Sequence, residues 1–275
     1  MTAYLNSLFS VEGKTALVTG GATGIGRMMA EALVQCGARV LICSRKGEHC
    51  EAVAQQLNAL DAPGSAEGFG ADLATEAGVE QVVNEIGKRT DRLHILANNA
   101  GATWGADYET FPRSAWDKVM TLNVTSIFEL TRGLTPMLDR AASDEDPARI
   151  INTASVMGIM PVADGCYSYS ASKAAVIHLT RILANEMTDR RITVNALAPG
   201  PFPSKMTAFA TASEEGAAAT GAKNPMGRIG RPADIAAAIL FLCGHGGSYV
   251  TGTTIPLDGG YLVHTGDESL FPEIN

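Results

Sequence analysis

A tyrosine and a lysine four residues apart form the most chemically suggestive pair in this sequence. Tyr169 and Lys173 would lie one turn apart on one face of a helix, where the phenol and the ammonium interact. A phenol with an ordinary pKa of about 10 exchanges protons poorly at neutral pH, and a neighbouring cation stabilises its phenolate. The pair is a candidate for acid–base chemistry, although the same spacing also occurs in structural helices. Tyr167 has only Ala171 at that spacing.

A serine hydroxyl provides a second candidate group. Ser155 follows the apolar run Arg149–Asn152, which has the pattern of a buried strand. In open parallel sheets the carboxyl ends of the strands face the ligand crevice. A hydroxyl there can donate and accept hydrogen bonds and so orient a carbonyl oxygen. The alternative for a serine after a strand is an ordinary turn residue.

A glycine-rich turn follows the first apolar run, Thr15–Val18, and precedes a helical stretch. Glycines let the backbone approach a pyrophosphate, and the free N–H groups at a helix start attract it. The spacing departs from Gly-x-Gly-x-x-Gly, and a simple tight turn is the alternative. The strand–turn–helix context favours a dinucleotide site. Its candidate residues are Gly20, Thr23, Gly24, Ile25 and Gly26.

The residues after the second apolar run, Arg39–Cys43, bear on the choice of nucleotide. An acidic residue there normally accepts the ribose 2′-hydroxyl of NAD, whereas an arginine accommodates the 2′-phosphate of NADP. Here the run continues into Ser44, Arg45 and Lys46 with no carboxylate. Because a carboxylate would repel a phosphomonoester and an arginine binds it, this pattern favours NADP. A solvated surface charge is the alternative for Arg45.

The elements that must position these groups alternate along the chain. Runs rich in Val, Ile and Leu recur between helical stretches, at Thr15–Val18, Arg39–Cys43, Leu93–Ala97, Arg149–Asn152 and Ile192–Ala196. The alternation predicts an α/β fold: a single Rossmann-like, doubly wound domain over residues 1–275, with helices on both faces of a parallel sheet. A helix is expected over 232–243, and the Ala-, Gly- and Thr-rich segment 201–225 is expected to be a substrate lid.

Composition excludes several classes of function. The chain has 275 residues and a formal net charge of -8, which argues against a nucleic-acid or anionic-membrane binder. Its five cysteines contain no Cys-x-x-Cys pair, and its five histidines show no metal-like spacing, so no metal is expected. The longest apolar stretch, Ile235–Cys243, is about half a membrane span. We expect a soluble cytoplasmic protein.

Together these residues resemble the short-chain dehydrogenase/reductase family, and the resemblance extends through nearly the whole chain. The motifs that carry it are Thr19–Gly26, Asp72 in Ala-Asp-Leu, Asn98–Gly101, Asn123 in Leu-Asn-Val, Ser155, Tyr169 with Lys173, Pro199-Gly200 and Asp258-Gly259-Gly260. The resemblance implies hydride transfer from a nicotinamide to a carbonyl carbon, with the cofactor carrying the difficult chemistry.

The resemblance also implies catalytic roles. Tyr169 is the general acid in reduction, and Lys173 lowers the pKa of Tyr169 and holds the nicotinamide ribose. Ser155 fixes the substrate oxygen. Asn123 holds a water in the proton relay behind Lys173, the alternative being hydrogen bonding within its own helix.

The implied cofactor contacts extend across the chain. Asp72, followed by Leu73, meets the adenine, and Asn99 lies along the adenosine. Ser204 stands where the family usually has a threonine that contacts the nicotinamide carboxamide. The full cofactor set adds the turn residues, Ser44, Arg45, Ala100, Gly101, Tyr169, Lys173, Pro199 and Gly200.

Within the family the sequence is most similar to β-ketoacyl reductases of the rhamnolipid-associated type. This similarity rests on Trp104-Gly105, on residues 199–207 and on Asn224–Arg228. It implies a 3-oxoacyl thioester or a similar medium-sized ketone as substrate. A polyol or sugar dehydrogenase and a non-catalytic NADP-binding module are the alternatives.

Partners are also implied by the resemblance, which indicates a homotetramer. Carrier-dependent reductases have a basic cluster before the strand that bears the serine, whereas this chain has the acidic loop Ser143–Asp146. Like charges repel, so docking of an acyl carrier protein is not expected. Met157, Met160 and Cys166 remain unassigned between substrate contact and packing.

Overall fold

A seven-stranded parallel sheet forms the centre of the molecule. The computed structural model describes residues 3–161, 165–204 and 206–264. The strands lie in the order β3-β2-β1-β4-β5-β6-β7, and every neighbouring pair is parallel. Their bounds are β1 Thr15–Thr19, β2 Arg39–Ser44, β3 Ser65–Gly70, β4 Ile95–Asn98, β5 Ala148–Thr153, β6 Ile192–Pro199 and β7 Thr254–Leu257.

Helices cover both faces of this sheet. Their bounds are α1 Ala3–Phe9, α2 Gly24–Gln35, α3 Gly47–Asn58, α4 Glu76–Arg89, α5 Arg113–Met120, α6 Ser126–Ala141, α7 Tyr167–Met187, α8 Ala208–Thr211, α9 Glu214–Gly221 and α10 Pro232–Cys243. One apolar core joins the sheet to α2, α3 and α10, and the other joins it to α4, α6 and α7. The predicted doubly wound α/β fold is therefore confirmed. No helix of the described ranges is long and apolar enough to cross a bilayer.

Two strands have no counterpart among the predicted ones. Strand β3 reads Ser-Ala-Glu-Gly-Phe-Gly, and of its residues Ala66 and Phe69 are buried. Gly68 is needed there because a Cβ would lie 2.2 Å from the Cys50 carbonyl carbon of α3. Because α3 packs so close to β3, glycine stands where a β-branched residue would have marked the strand in the sequence. Strand β7 has four residues and includes Pro256, which suits an edge strand.

Two of the three acidic side chains in the loop before β5 are paired with basic side chains. Asp144 forms an ion pair with Arg191, while Asp146 accepts from Lys14 at 2.7 Å and from Arg149 at 3.1 Å. The loop also lies at the amino end of β5, about 20 Å from the carboxyl end where Ser155 follows. The acidic loop therefore lies away from Ser155, and the expectation that an acyl carrier protein does not dock stays a prediction.

Arg149 closes the end of a helix from inside the protein. Its side chain is fully buried, and its guanidinium donates to the carbonyl oxygens of Leu242 at 3.0 Å and Gly244 at 3.1 Å. These carbonyls are at the carboxyl end of α10, where acceptors lack helical partners and cations are favoured. One arginine thus joins the start of β5 to α10.

We predict that Arg149→Met lowers the free energy of unfolding by about 3 kcal/mol, because buried carbonyls and Asp146 lose a charged donor. Urea denaturation followed by circular dichroism measures the change. The matched control is Arg190→Met, which removes the partly exposed Arg190–Asp139 pair and costs less than about 1 kcal/mol. Equal losses in both variants would contradict the assigned role of Arg149.

Candidate active site

A cavity of about 700 Å³ opens at the carboxyl edge of the sheet. Most of the predicted site residues meet on its wall, although they come from five separate stretches of the chain. Those on the wall are Gly20, Thr23, Gly24, Ile25, Asn99, Ala100, Gly101, Ser155, Tyr169, Lys173, Pro199, Gly200 and Ser204. The remaining predicted residues, Gly26, Ser44, Arg45, Asp72, Leu73 and Asn123, lie outside the wall.

The glycine turn joins β1 to α2 and forms one end of the cavity. Gly20 adopts a φ of 65°, and a Cβ on Gly26 would lie 2.4 Å from both the Asn99 amide nitrogen and the Gly20 carbonyl oxygen. Thr23 is the extended residue before α2, and its side chain makes no capping bond. The first-turn N–H groups of α2 therefore remain available for an anion, as a pyrophosphate requires.

Thr19 connects this turn to the residues that follow β4. From the sequence it was identified only as the first residue of the glycine motif. Its hydroxyl accepts from the backbone N–H groups of Asn99 at 2.9 Å and Ala100 at 3.0 Å. The Asn99 amide in turn donates to the Thr19 carbonyl oxygen at 3.0 Å. Asn99 therefore shapes the cofactor crevice through its contacts with β1. The signal was a hydroxyl at the last position of an otherwise apolar strand.

The predicted adenosine end lies beyond the cavity, along the carboxyl ends of β2 and β3. The Ser44 hydroxyl accepts from the Lys46 N–H at 3.3 Å and lies 3.1 Å from the Cys50 sulfur. Arg45 is exposed. Asp72 accepts from the Ala74 N–H at 3.1 Å. Strand β2 lies beside β1 and β3 lies beyond β2, so the predicted adenosine contacts continue the line of the glycine turn.

The adenine contact predicted for the Asp72 side chain and the cofactor contact predicted for Leu73 concern two adjacent residues in different environments. Asp72 is exposed, whereas Leu73 is buried in the core against α4 and α6. The side chain of Leu73 is thus committed to packing, and its backbone is what remains for a ligand. Sequence motifs do not distinguish these two modes of contact.

Tyr169, Ser155 and Lys173 converge on one side of the cavity. The Tyr169 phenol and the Ser155 hydroxyl are hydrogen-bonded, and the Lys173 ammonium lies 5.6 Å from the centre of the Tyr169 ring. Lys173 is buried and donates to the Thr153 carbonyl oxygen at 2.6 Å. The three groups can therefore act on a single oxygen atom in the cavity.

The pKa of Tyr169 differs from the expectation that Lys173 lowers it. Burial raises the pKa of Tyr169, and the hydrogen bond from Ser155 offsets only part of this effect. Burial also lowers the pKa of Lys173 to about 8. Desolvation of the phenolate is therefore the main cause of the raised pKa of Tyr169. Tyr169 consequently keeps its proton at neutral pH, as a proton donor must.

Tyr167, the other tyrosine of this region, has a structural role. Its ring packs edge-on against Tyr108 at 5.8 Å and Phe111 at 5.3 Å between centroids. Phe111 also packs edge-on against Trp116. Tyr167 is absent from the described cavity wall. The spacing argument that separated the two tyrosines therefore agrees with their placement.

Asn123 lies behind the catalytic groups in a π-helical turn, Thr121–Thr125, that joins α5 to α6. Its amide oxygen accepts from the Ala102 N–H at 2.8 Å, and its amide nitrogen donates to the Ala102 carbonyl at 2.9 Å and to the Ser172 hydroxyl at 2.9 Å. These partners belong to other segments, so the alternative of bonding within its own helix is wrong. The relay water assigned to Asn123 stays a prediction.

The segment predicted as a lid contains two short helices, α8 and α9. Phe202 at its base is buried, and Met206 and Ala210 line the cavity. The Ser204 hydroxyl lies 3.0 Å from that of Thr207, which donates to the Phe202 carbonyl oxygen at 2.6 Å. Local hydroxyl bonds therefore fold the segment.

The rest of the wall is largely apolar and carries no carboxylate among the described residues. Met157 and Cys166 are part of it, so two of the three unassigned residues face the cavity. Met160 is absent from the described wall and is partly exposed. Within the described ranges, no three His, Cys, Asp or Glu side chains are close enough to hold a metal ion.

Comparisons with known proteins agree with this site. The family model described as enoyl-(acyl carrier protein) reductase matches residues 20–262. A rhamnolipids biosynthesis 3-oxoacyl-[acyl-carrier-protein] reductase of Pseudomonas aeruginosa is 46% identical, covering 94% of this chain and 99% of the relative. An NAD-dependent glycerol dehydrogenase of Listeria innocua is 34% identical, covering 93% of this chain and 96% of the relative.

A solved structure extends the likeness to three dimensions. The Pseudomonas aeruginosa RhlG/NADP active-site complex has a TM-score of 0.88 and 46% sequence identity, covering 94% of this chain and 99% of that one. The chain therefore belongs to the short-chain dehydrogenase/reductase family.

Proposed function

We propose that this protein uses NADPH to reduce the ketone of a 3-oxoacyl thioester, or of a similar medium-sized ketone, to an alcohol. The observation that carries the proposal is the cavity wall: Ser155 and Tyr169 meet at one side, while Met157 and Met206 offer apolar surface for an acyl chain. The Pseudomonas aeruginosa relative is a 3-oxoacyl-[acyl-carrier-protein] reductase, which supports the same substrate class.

The chain's own residues would orient the ketone and supply the proton. When bound, the cofactor supplies the hydride. Ser155 donates a hydrogen bond to the substrate oxygen, and the protonated Tyr169 phenol delivers its proton to that oxygen as charge develops. Lys173 holds positive charge behind the phenol, and Asn123 connects this region to the Ser172 hydroxyl.

NADP is the proposed nucleotide. The glycine turn would hold the pyrophosphate, while Arg45 and Ser44 stand where a 2′-phosphate needs a cation and a hydroxyl. The RhlG structure, which is a complex with NADP, supports this assignment.

A polyol or sugar dehydrogenase is the second candidate, and the glycerol dehydrogenase relative favours it. A polyol needs several polar partners, because each buried hydroxyl left unpaired is costly. The hydroxyls of Ser204, Thr207 and Thr211 already bond within the lid. A non-catalytic NADP-binding module has no need for the Ser155–Tyr169 pair, so the presence of the pair argues against this alternative.

The proposed setting is the cytoplasm, which suits five cysteines that form no disulfide with one another.

We further propose a homotetramer and a lid function for residues 201–225. Apolar side chains support the oligomer, since Phe128 on α6 and Ile182 on α7 are 44% and 52% exposed.

We predict a light-scattering mass of about four 28.7 kDa chains. Ile182→Glu should halve it, because a buried unpaired carboxylate opposes association through α7. The control Ile159→Glu changes an exposed isoleucine outside α6 and α7 and should keep the mass. A monomeric unaltered protein would contradict the tetramer.

We predict that the purified protein oxidises NADPH with a 3-oxooctanoyl thioester and that Tyr169→Phe lowers kcat by about 10²- to 10⁴-fold, because the proton donor is lost. Absorbance at the NADPH band measures both. Tyr167→Phe is the matched control and should retain turnover, since Tyr167 packs against Tyr108 and Phe111.

The same assay separates the candidate functions. Glycerol, gluconate and the corresponding 2-enoyl thioester serve as comparison substrates, with NAD or NADPH as appropriate. Rapid polyol oxidation without thioester turnover would favour the second candidate. NADPH binding by titration calorimetry with no substrate turned over would favour the non-catalytic module.

We predict that Arg45→Ala lowers the ratio of kcat/KM with NADPH to that with NADH by about 10- to 100-fold, the worth of a hydrogen bond to a charged group. Steady-state kinetics with each nucleotide measures the ratio. The control Arg190→Ala, just before the amino end of β6, should keep the ratio. An unchanged ratio in Arg45→Ala would assign Arg45 to solvent.

A further inference from the structure

The cavity has an unusual distribution of charge. Among the described residues on its wall, Lys173 and Lys223 are the charged side chains, and both are cations. Lys173 is buried beside Tyr169, whereas Lys223 is exposed and so lies at the rim. The chain as a whole has a net charge of -8. A cationic rim without a carboxylate is thus a local exception that attracts anions.

The backbone at Lys223 is held in place. The neighbouring Asn224 is buried, and its amide donates to the Asp258 carbonyl oxygen at 2.6 Å and accepts from the Met226 N–H at 3.2 Å. The end of the lid is therefore fastened to the loop after β7. No ion pair with a described residue engages the Lys223 ammonium. Because the backbone is already ordered and the Lys223 ammonium has no ion pair to break, binding a ligand there costs less entropy.

The proposed substrate has an anion at a suitable place. A thioester carried on a phosphopantetheine arm has its reactive ketone at one end and a phosphate at the other. With the ketone at Ser155 and Tyr169, the arm extends from the cavity toward solvent, and Lys223 is the exposed cation among the described residues of the wall. Phosphate is a strong acceptor for an ammonium donor.

We propose that Lys223 binds the phosphate of the phosphopantetheine arm of the substrate. This inference rests on the proposed thioester reduction. Coenzyme A and an acyl carrier protein present the same phosphate, so Lys223 recognises an element that both share. A helix-end role is the structural alternative, because Lys223 follows α9 and a cation there favours the helix dipole.

The test compares two substrates that differ by one phosphate, 3-oxooctanoyl-pantetheine and 3-oxooctanoyl-4′-phosphopantetheine, at saturating NADPH. We expect kcat/KM to favour the phosphorylated substrate by about fivefold, as for an exposed ion pair. Lys223→Met should bring this ratio to about one through KM, and Lys223→Arg should retain it. The matched control Lys88→Met removes an exposed lysine of α4 outside the described wall and should keep the ratio.

The unaltered protein provides an independent readout. Raising salt from about 50 to about 500 mM should lower the ratio toward one, because salt screens an exposed charge pair. A ratio of one in the unaltered protein, or an unchanged ratio in Lys223→Met, overturns the inference. A helix-end role alone would shift the melting temperature and leave the ratio intact.

Other arms of the experiment separate the sources of the phosphate and the two proposals. Equal losses in Lys223→Met with 3-oxooctanoyl-coenzyme A and with the carrier-bound substrate support recognition of the shared phosphate. A loss confined to the carrier-bound substrate overturns it in favour of a protein–protein contact. If the protein oxidises NADPH with neither of the two pantetheine substrates, the proposed function and this inference are both overturned. If it turns over both at equal kcat/KM, the inference alone is overturned.

Discussion

The site depends on keeping an ammonium group away from water beside a phenol. Burial of a cation is costly unless polar groups replace its hydration. For Lys173 the Thr153 carbonyl does so at 2.6 Å, and the cost shows in a pKa lowered to about 8. The same burial raises the pKa of Tyr169, so one desolvated environment keeps the phenol protonated and the lysine close to its titration range.

This requirement explains the architecture around the site. Strand β5 delivers both the carbonyl that holds Lys173 and, two residues later, the hydroxyl of Ser155. Below them, buried amides continue the polar network: Asn98 donates to Asn152 at 2.9 Å, and Asn152 donates to Thr180 of α7 at 3.0 Å. These bonds fix β4, β5 and α7 relative to one another. A fully satisfied buried network of this kind gives the site rigidity.

The sequence was informative where local spacing decides the structure. The Tyr169–Lys173 spacing implied one helix face, the glycine turn implied a helix start, and apolar runs located five of the strands. It was uninformative where distant segments meet. Strand β3 is shaped by the approach of α3 to Gly68, and the bonds of Asn123 reach Ala102 and Ser172. The neutralisation of Asp146 by Lys14, 132 positions away, is equally non-local.

Charge placement joins these observations. A protein with net charge -8 repels polyanions at long range, yet its proposed cofactor and substrate both carry phosphate. Recognition must therefore be local and act within a Debye length of about 8 Å, with Arg45 at the nucleotide end and Lys223 at the rim. Asp144 and Asp146 lie at the opposite edge of the sheet and are paired there with basic residues. Separation along the strands thus lets an acidic chain keep a cavity wall on which the described charges are cationic.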